Sequence, residues 1–418
     1  MNVAKNVRKR PFWFYLGPAF LVSVGYMDPG NWATSLEAGS RYGYALLWVV
    51  TLSSAMAVLM QVLAAKLGIA TGMDLAQAMR ERYSPPVAKF LFATAFLAMM
   101  ATDLAEFMGV ALALNLLFGI PLTWAVLLTV FDVLLILWLE RFGFRWVETV
   151  ILAFVATIGL AYVFELFFAH PNPGEVLWNA FLPNATVFSD ATALFLAMGI
   201  LGATVMPHNL FLHSAQVKTR TRNNPESKQR VYFWSVVDTV SALSAAWLVN
   251  GAILVMAAAV FHKNGLLVTE IDQAYLTLKP LLGQAAALTF AIALLASGLS
   301  SSATGTLAGQ IVFEGFLQVR VRNAGALRLL VRLLTMAPAL VAVWLSVRPF
   351  TLLVLSQVIL SMQLPFSVVP LVSFTSDRRL MGDLVNPPFL RGLAWAAAGL
   401  IVALNLLLIA FAVKGAWS

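Results

Sequence analysis

Two short strings, Asp28-Pro29-Gly30-Asn31 and Met206-Pro207-His208-Asn209, interrupt long apolar stretches where a helix ought to run unbroken. Proline removes a backbone donor there and clashes with the preceding turn. Glycine in the first string adds freedom to leave the helix. The composition makes the surroundings lipid: the 418 residues are 61% hydrophobic and 11% charged, with mean hydropathy +0.85, which reads as a polytopic membrane protein. Lipid does not satisfy free amides and carbonyls, so each break must line a cavity or lie buried in protein. Interrupted helices in matching halves of a membrane protein point to a substrate site between them.

Apolar runs long enough to cross a bilayer number eleven: about 13–40, 44–69, 86–117, 121–139, 144–169, 190–217, 231–261, 284–316, 326–346, 350–374 and 392–413. With a cytoplasmic amino terminus, only Arg41, Lys263, Lys279, Arg348 and Lys414 fall outside. The other 22 of the 27 basic residues, Lys5, Lys66, Arg222, Arg320, Arg322 and Arg332 among them, then lie inside. An odd number of spans puts the carboxyl terminus outside. The +8 charge is therefore a topology signal, and no nucleic-acid partner is expected. The first span reads as a retained start-transfer helix. With no Cys, disulfides and thiolate ligands are excluded. Short surface helices are expected at 73–83 and after Thr269-Glu270-Ile271-Asp272.

Laid on one another, the two broken strings align Asp28 with Met206 and bring proline and asparagine into register. They sit in spans one and six, which run in opposite directions. Two inverted five-helix repeats give that relation, at about 13–169 and 190–374, with 392–413 as an extra helix and residues 1–418 as one transmembrane domain. The fold class is all-α, with helices 1 and 6 broken.

A break leaves the last carbonyls of its first half-helix unpartnered, at an end of partial negative charge. Ala203 lies one turn before Met206. Asp28 adds a full charge, Asn31 an amide oxygen and Met206 a soft sulfur. Oxygen donors at negative helix ends describe a cation site. A thioether favours transition metals over Mg2+ and Ca2+. Each residue also has a plainer reading: Asn31 as a helix cap, Met206 as gap-filling, His208 and His213 as hydrogen-bonded packing. Asp103 and Glu106, one turn apart on span three, share a face and suit a proton relay; the alternative is a buried ion pair with an arginine. Asp132 in span four and Asp238 in span seven have no assigned role; a structural one near the cytoplasmic end is open for Asp238.

Together with Met27-Asp28-Pro29-Gly30-Asn31, the strings Gly202-Ala203-Thr204-Val205-Met206-Pro207-His208-Asn209-Leu210, Ala101-Thr102-Asp103-Leu104-Ala105-Glu106-Phe107 and Ser300-Ser301-Ser302-Ala303-Thr304-Gly305-Thr306-Leu307-Ala308-Gly309-Gln310 resemble bacterial members of the Nramp family of divalent-metal transporters. The resemblance runs nearly end to end. It implies a LeuT-type fold, a multi-pass protein of the bacterial inner membrane, and symport of Mn2+ or Fe2+ with protons and without a resident cofactor. The protein would act as a monomer. The resemblance implies metal coordination by the Asp28 and Asn31 side chains, the Ala203 carbonyl and the Met206 sulfur, with Gln357 approaching in some conformations. It makes Asp103 the proton acceptor beside the metal, with Glu106 and span-nine arginines, Arg332 among them, below it; Asp28 belongs to the pathway too, and His208 is the next candidate because an imidazole suits a relay. Where some relatives carry adjacent arginines, this chain has Val331-Arg332, with Arg328 one turn earlier. No motif for a hydrolase, a metalloprotease or an ATP-driven pump is present, so an enzyme is not expected. Two alternatives stay open: a divalent-metal channel, and a sodium-coupled small-solute symporter of the same fold. Concentrative uptake separates the first and direct metal binding the second.

Overall fold

The computed structural model describes residues 14–413 apart from 130, 133, 135–137, 139–140, 143, 222–223, 225 and 319–323. Residue 13, much of the expected fourth span, and the charges Lys5, Arg8, Lys9, Arg10, Arg222, Arg320, Arg322 and Lys414 lie outside the described residues.

The first apolar run is divided. Helix α1 (Pro18–Ser23) tightens into a 3-10 turn (Gly25–Met27), and α2 (Pro29–Tyr42) follows the break. Then come α3 (Leu47–Thr71), a short α4 (Leu75–Arg82), α5 (Pro85–Phe118), α6 (Leu122–Leu128) and α7 (Phe144–Ala169). The sixth run is also divided, into α8 (Ala191–Val205) and α9 (Pro207–Gln216). The rest are α10 (Lys228–Val260), α11 (Ile271–Leu282), α12 (Gln284–Leu317), α13 (Ala324–Trp344), α14 (Pro349–Thr375) and α15 (Pro388–Val413). Nine helices among the described residues are long and apolar enough to cross a membrane, with α8 and α9 falling in one of them. Of the remaining two expected spans, the first is the divided pair α1 and α2. The fourth is described over α6 and a few residues beyond.

Both expected surface helices are present. Asp74 and Gln77 cap α4 reciprocally, each side chain bonding the other's backbone amide. Between the fifth and sixth apolar runs, Asn172 and Pro173 start a further short helix, Pro173–Phe181. Lys66 and Arg332, counted above with the cytoplasmic charges, are buried side chains within helices, 3% and 1% exposed. Lys66 donates to Asn386 Oδ1 at 2.9 Å. Neither carries surface-charge information, because each has a polar partner inside the protein.

The divided helices lie at the centre. Helix α8 packs on α14, α3 and α2, while α5 packs on α12 and α14. Helices in lipid have little hydrophobic drive to associate and approach through small residues. Gly202 on α8 shows this: a Cβ there would collide with the Gln357 carbonyl of α14. A Cβ on Gly30 would collide with the Gln357 side chain. These two glycines bring both breaks against one turn of α14.

Candidate metal site

At the first break the backbone leaves the 3-10 turn at Asp28 (φ −66°, ψ 162°), and Pro29 opens α2. Proline suits that first position because its missing N–H would be unpaired anyway. Asp28 Oδ1 accepts from the Asn31 backbone N–H at 2.8 Å, so Asp28 is the cap of α2, in place of the cap role open to Asn31. The Met27 carbonyl accepts from the Ser297 hydroxyl of α12.

At the second break Met206 sits at φ 42°, ψ 100°, a conformation few non-glycine residues adopt. Pro207 opens α9 and has no N–H to offer the carbonyl four residues earlier, which belongs to Ala203. That carbonyl accepts instead from Asn31 Nδ2 at 2.8 Å. The same Nδ2 donates to Asp28 Oδ1 at 2.8 Å. One amide nitrogen thus joins the carboxylate of one break to the freed carbonyl of the other. Asn209, the counterpart of Asn31, repeats the crossing in the other direction: its Nδ2 donates to the Val22 carbonyl of α1 and to Met206 Sδ, both at 3.3 Å. The alignment of the two strings is therefore a structural correspondence.

Gln357 Nε2 faces Asp28 Oδ2 at 3.4 Å and donates to Ser356 Oγ at 3.0 Å; its Oε1 has no partner. Asp28, Asn31, Ala203, Met206 and Gln357 are all buried, none more than 1% exposed. Direct hydrogen bonds join Asp28, Asn31, Ala203 and Gln357. Met206 is held beside them by Asn209. The donors are one carboxylate, two amides, one carbonyl and one thioether, which together suit a cation of intermediate softness.

A second polar cluster surrounds Arg332 on α13. Its Nη1 lies 2.6 Å from Asp103 Oδ1 and 3.1 Å from Glu106 Oε2, and its Nη2 lies 2.6 Å from Asp132 Oδ2. The Thr335 hydroxyl donates to Asp103, and Ser302 bonds both Asp132 and Arg332. The guanidinium also lies 4.1 Å from the Phe107 ring centroid. The ion pair open to Asp103 and Glu106 is thus present, and Asp132, unassigned from the sequence, belongs to it. Three carboxyls facing one guanidinium leave an excess of acid, and among the described residues Glu106 Oε1 and Asp132 Oδ1 lack hydrogen-bond partners. Arg328 bonds Gln310 instead. His208 connects to this region through Thr102: its Nδ1 is 3.0 Å from Thr102 Oγ1, next in sequence to Asp103.

Sequence reasoning also missed a buried chain beneath the breaks, in which His213 Nδ1 bonds Gln61 Oε1 at 3.0 Å and Gln61 Nε2 donates to Tyr26 at 2.8 Å. Gln61 is a polar residue in an apolar helix, the one signal that could have found it. Asp238, unassigned from the sequence, has a structural contact: its carboxylate accepts from the Gly17 and Ala19 amides at 3.2 and 2.9 Å and so caps α1.

Residues 19–411 match the family model for natural resistance-associated macrophage protein-like sequences, Nramp. The divalent metal cation transporter MntH of Nostoc sp. is 51% identical over 396 residues, covering 94% of this chain and 89% of that protein. The manganese transporter of Eremococcus coleocola superposes with TM-score 0.87 at 35% identity, covering 97% of this chain and 90% of the other. MhsT, solved with L-phenylalanine, gives TM-score 0.61 at 16% identity over 93% of this chain and 98% of its own, a likeness of fold alone and of the LeuT type. With its family signature spread over two broken helices that brace each other, this multi-pass chain belongs to the Nramp family.

Proposed function

We propose that the protein is a symporter that imports divalent transition-metal ions, Mn2+ and Fe2+ above all and softer ions such as Cd2+ as well, with protons and by alternating access. The observation that carries this reading is the Asn31 amide, which donates to Asp28 and to Ala203 at 2.8 Å each. Its NH2 group occupies the place between two oxygens that a cation takes. Turning the amide by half a rotation replaces donor with acceptor and frees both oxygens, so that three oxygens converge with the Met206 sulfur nearby. A single full charge in that set allows binding and release of a divalent ion.

Protons move in this reading through the acid-rich cluster of Asp103, Glu106, Asp132 and Arg332, with His208 and Thr102 connecting it to the second break. The end holding His170 and His262 faces outward and the amino terminus lies in the cytoplasm, in line with the charge asymmetry. The domain is one transmembrane unit of two inverted repeats and works as a monomer in the bacterial inner membrane. Purified protein in liposomes tests this: Mn2+ uptake against its gradient, with acidification of the lumen, is the expected result. Flux that only follows the metal gradient, with no lumenal pH change, contradicts it.

A further inference from the structure

We propose that Glu165 is a proton-binding site on the outer side of the two breaks, separate from the Arg332 cluster and lined by Tyr162 and Trp32. It rests on the symport reading above. Glu165 lies on α7, fully buried, and among the described residues neither carboxyl oxygen has a hydrogen-bond partner. Tyr162 precedes it by one turn on the same face, and its hydroxyl is also unpartnered. Trp32 follows Asn31 directly, is fully buried, and its Nε1 has no acceptor. The Trp32 ring packs edge-on against Tyr162 with centroids 5.0 Å apart, and against Phe290 of α12 at 5.1 Å. Four unpartnered polar atoms are thus gathered where α2, α7 and α12 meet. Buried polar atoms are nearly always hydrogen-bonded, so a group of orphans marks a place for water or a ligand.

The chemistry selects the ligand. An ionised carboxylate is not stable in such a place without a cation. Asp103, Glu106 and Asp132 have Arg332, but no base pairs with Glu165 among the described residues. The charged and titratable groups on the helices around α7 are engaged or distant. Glu37 and Arg41 of α2 pair with each other at 3.1 Å. On α10, Arg230 pairs with Glu226 at 3.0 Å and Asp238 caps α1, both at the opposite end. Glu314 of α12 accepts from Gln310 at 2.6 Å, also at that end. Asp272 and Lys279 of α11 are exposed and Tyr275 is half-buried. A metal ion would find a single carboxylate, a phenol and an indole N–H that presents hydrogen where a lone pair is needed. A proton has no such difficulty: it neutralises the carboxyl, which then donates to water. Glu165 lies five residues, about 7.5 Å of helix rise, from His170. That residue lines a cavity of about 650 Å3 with Tyr44, Glu175 and His262. The carboxylate takes its proton from water on that side and returns it to water on the Trp32 side, next to Asn31.

The test uses the full chain in liposomes. Mn2+ uptake is recorded across a range of external pH at fixed lumenal pH, together with Mn2+ affinity by calorimetry. E165Q is expected to bind Mn2+ as wild type does and to flatten the external-pH response of uptake by roughly fivefold or more. An E165Q profile that overlays the wild type overturns the proposal, as does unchanged pH response with weakened Mn2+ binding. If E165Q does not fold, E165D decides: a shifted midpoint of the pH response is expected, and a wild-type midpoint overturns it. A wild type without external-pH response or lumenal acidification brings down the symport reading itself, which is a distinguishable failure.

Discussion

The two breaks occupy corresponding positions and solve the same backbone problem with different side chains. At the first, Asp28 keeps an ordinary extended conformation and its carboxylate caps the helix that follows. At the second, Met206 takes a positive φ and α9 has no side-chain cap. The asparagine pair repeats the difference: Asn31 makes two bonds of 2.8 Å to oxygen, whereas Asn209 makes two of 3.3 Å, one of them to sulfur. The first break is thus fixed by strong, charged hydrogen bonds. The second gives up a cap and accepts backbone strain to place a thioether opposite. A carboxylate at position 206 would improve the local structure but add a second full charge and remove the soft donor. On the proposed reading, the strain at Met206 would serve selectivity and the order at Asp28 affinity.

That contrast is most sharply broken at Asp28. Asp28→Asn keeps the size and much of the capping but removes the charge. Mn2+ affinity by calorimetry should fall by more than about 100-fold, beyond the ~10–100-fold typical of outer-shell residues, with no measurable uptake. Near-normal transport would mean that the charged break is structural only.

Asp103→Asn asks whether charge at the breaks is separable from charge around Arg332. The amide oxygen still accepts from Arg332 and the NH2 can donate to the Thr335 hydroxyl, so the cluster survives. Proton movement per Mn2+ should drop by about 100-fold, the low end of the ~100–10,000-fold that one acid–base group contributes, while Mn2+ binding stays. Retained proton flux would shift the relay to Glu106, Asp132 or His208.

Met206→Ala tests the soft side. Removing the only sulfur should weaken Cd2+ more than Mn2+ and raise competition by Ca2+, changing the Cd2+-to-Ca2+ preference by roughly tenfold. Competition uptake assays read this. An unchanged preference would make Met206 packing.

The smallest effect is expected at the weaker brace. Asn209→Ala removes long, neutral bonds and should cost about 1 kcal/mol or less in thermal unfolding. Asn31→Ala should cost more and also reduce Mn2+ affinity. Equal effects would remove the asymmetry drawn here between the breaks.

Much of this was legible in the sequence because lipid leaves few options. Proline within an apolar run, beside an acid or a sulfur, announces a break, and equal spacing within the two strings aligned them. What stayed hidden depends on which helices meet. Asp132 has no partner near it in sequence, and only packing of α13 brings Arg332 to it. Glu165 reads as the end of an apolar helix until the absence of partners for both oxygens is seen. Asn31 was open to the role of cap because a one-dimensional string cannot say which side chain reaches the free amide. Lys66 and Arg332 passed as surface charges because sequence gives helix ends more securely than depth.

The central claim is that the crossing between the two breaks holds the metal. Anomalous diffraction from Mn2+-soaked crystals tests it most directly. A dominant peak contacted by the side chains of Asp28, Asn31 and Met206 and the carbonyl of Ala203 is the result this account predicts, with loss of that peak in Asp28→Asn. A dominant peak within the Arg332 cluster or at the His170 cavity, with none between the breaks, would contradict it.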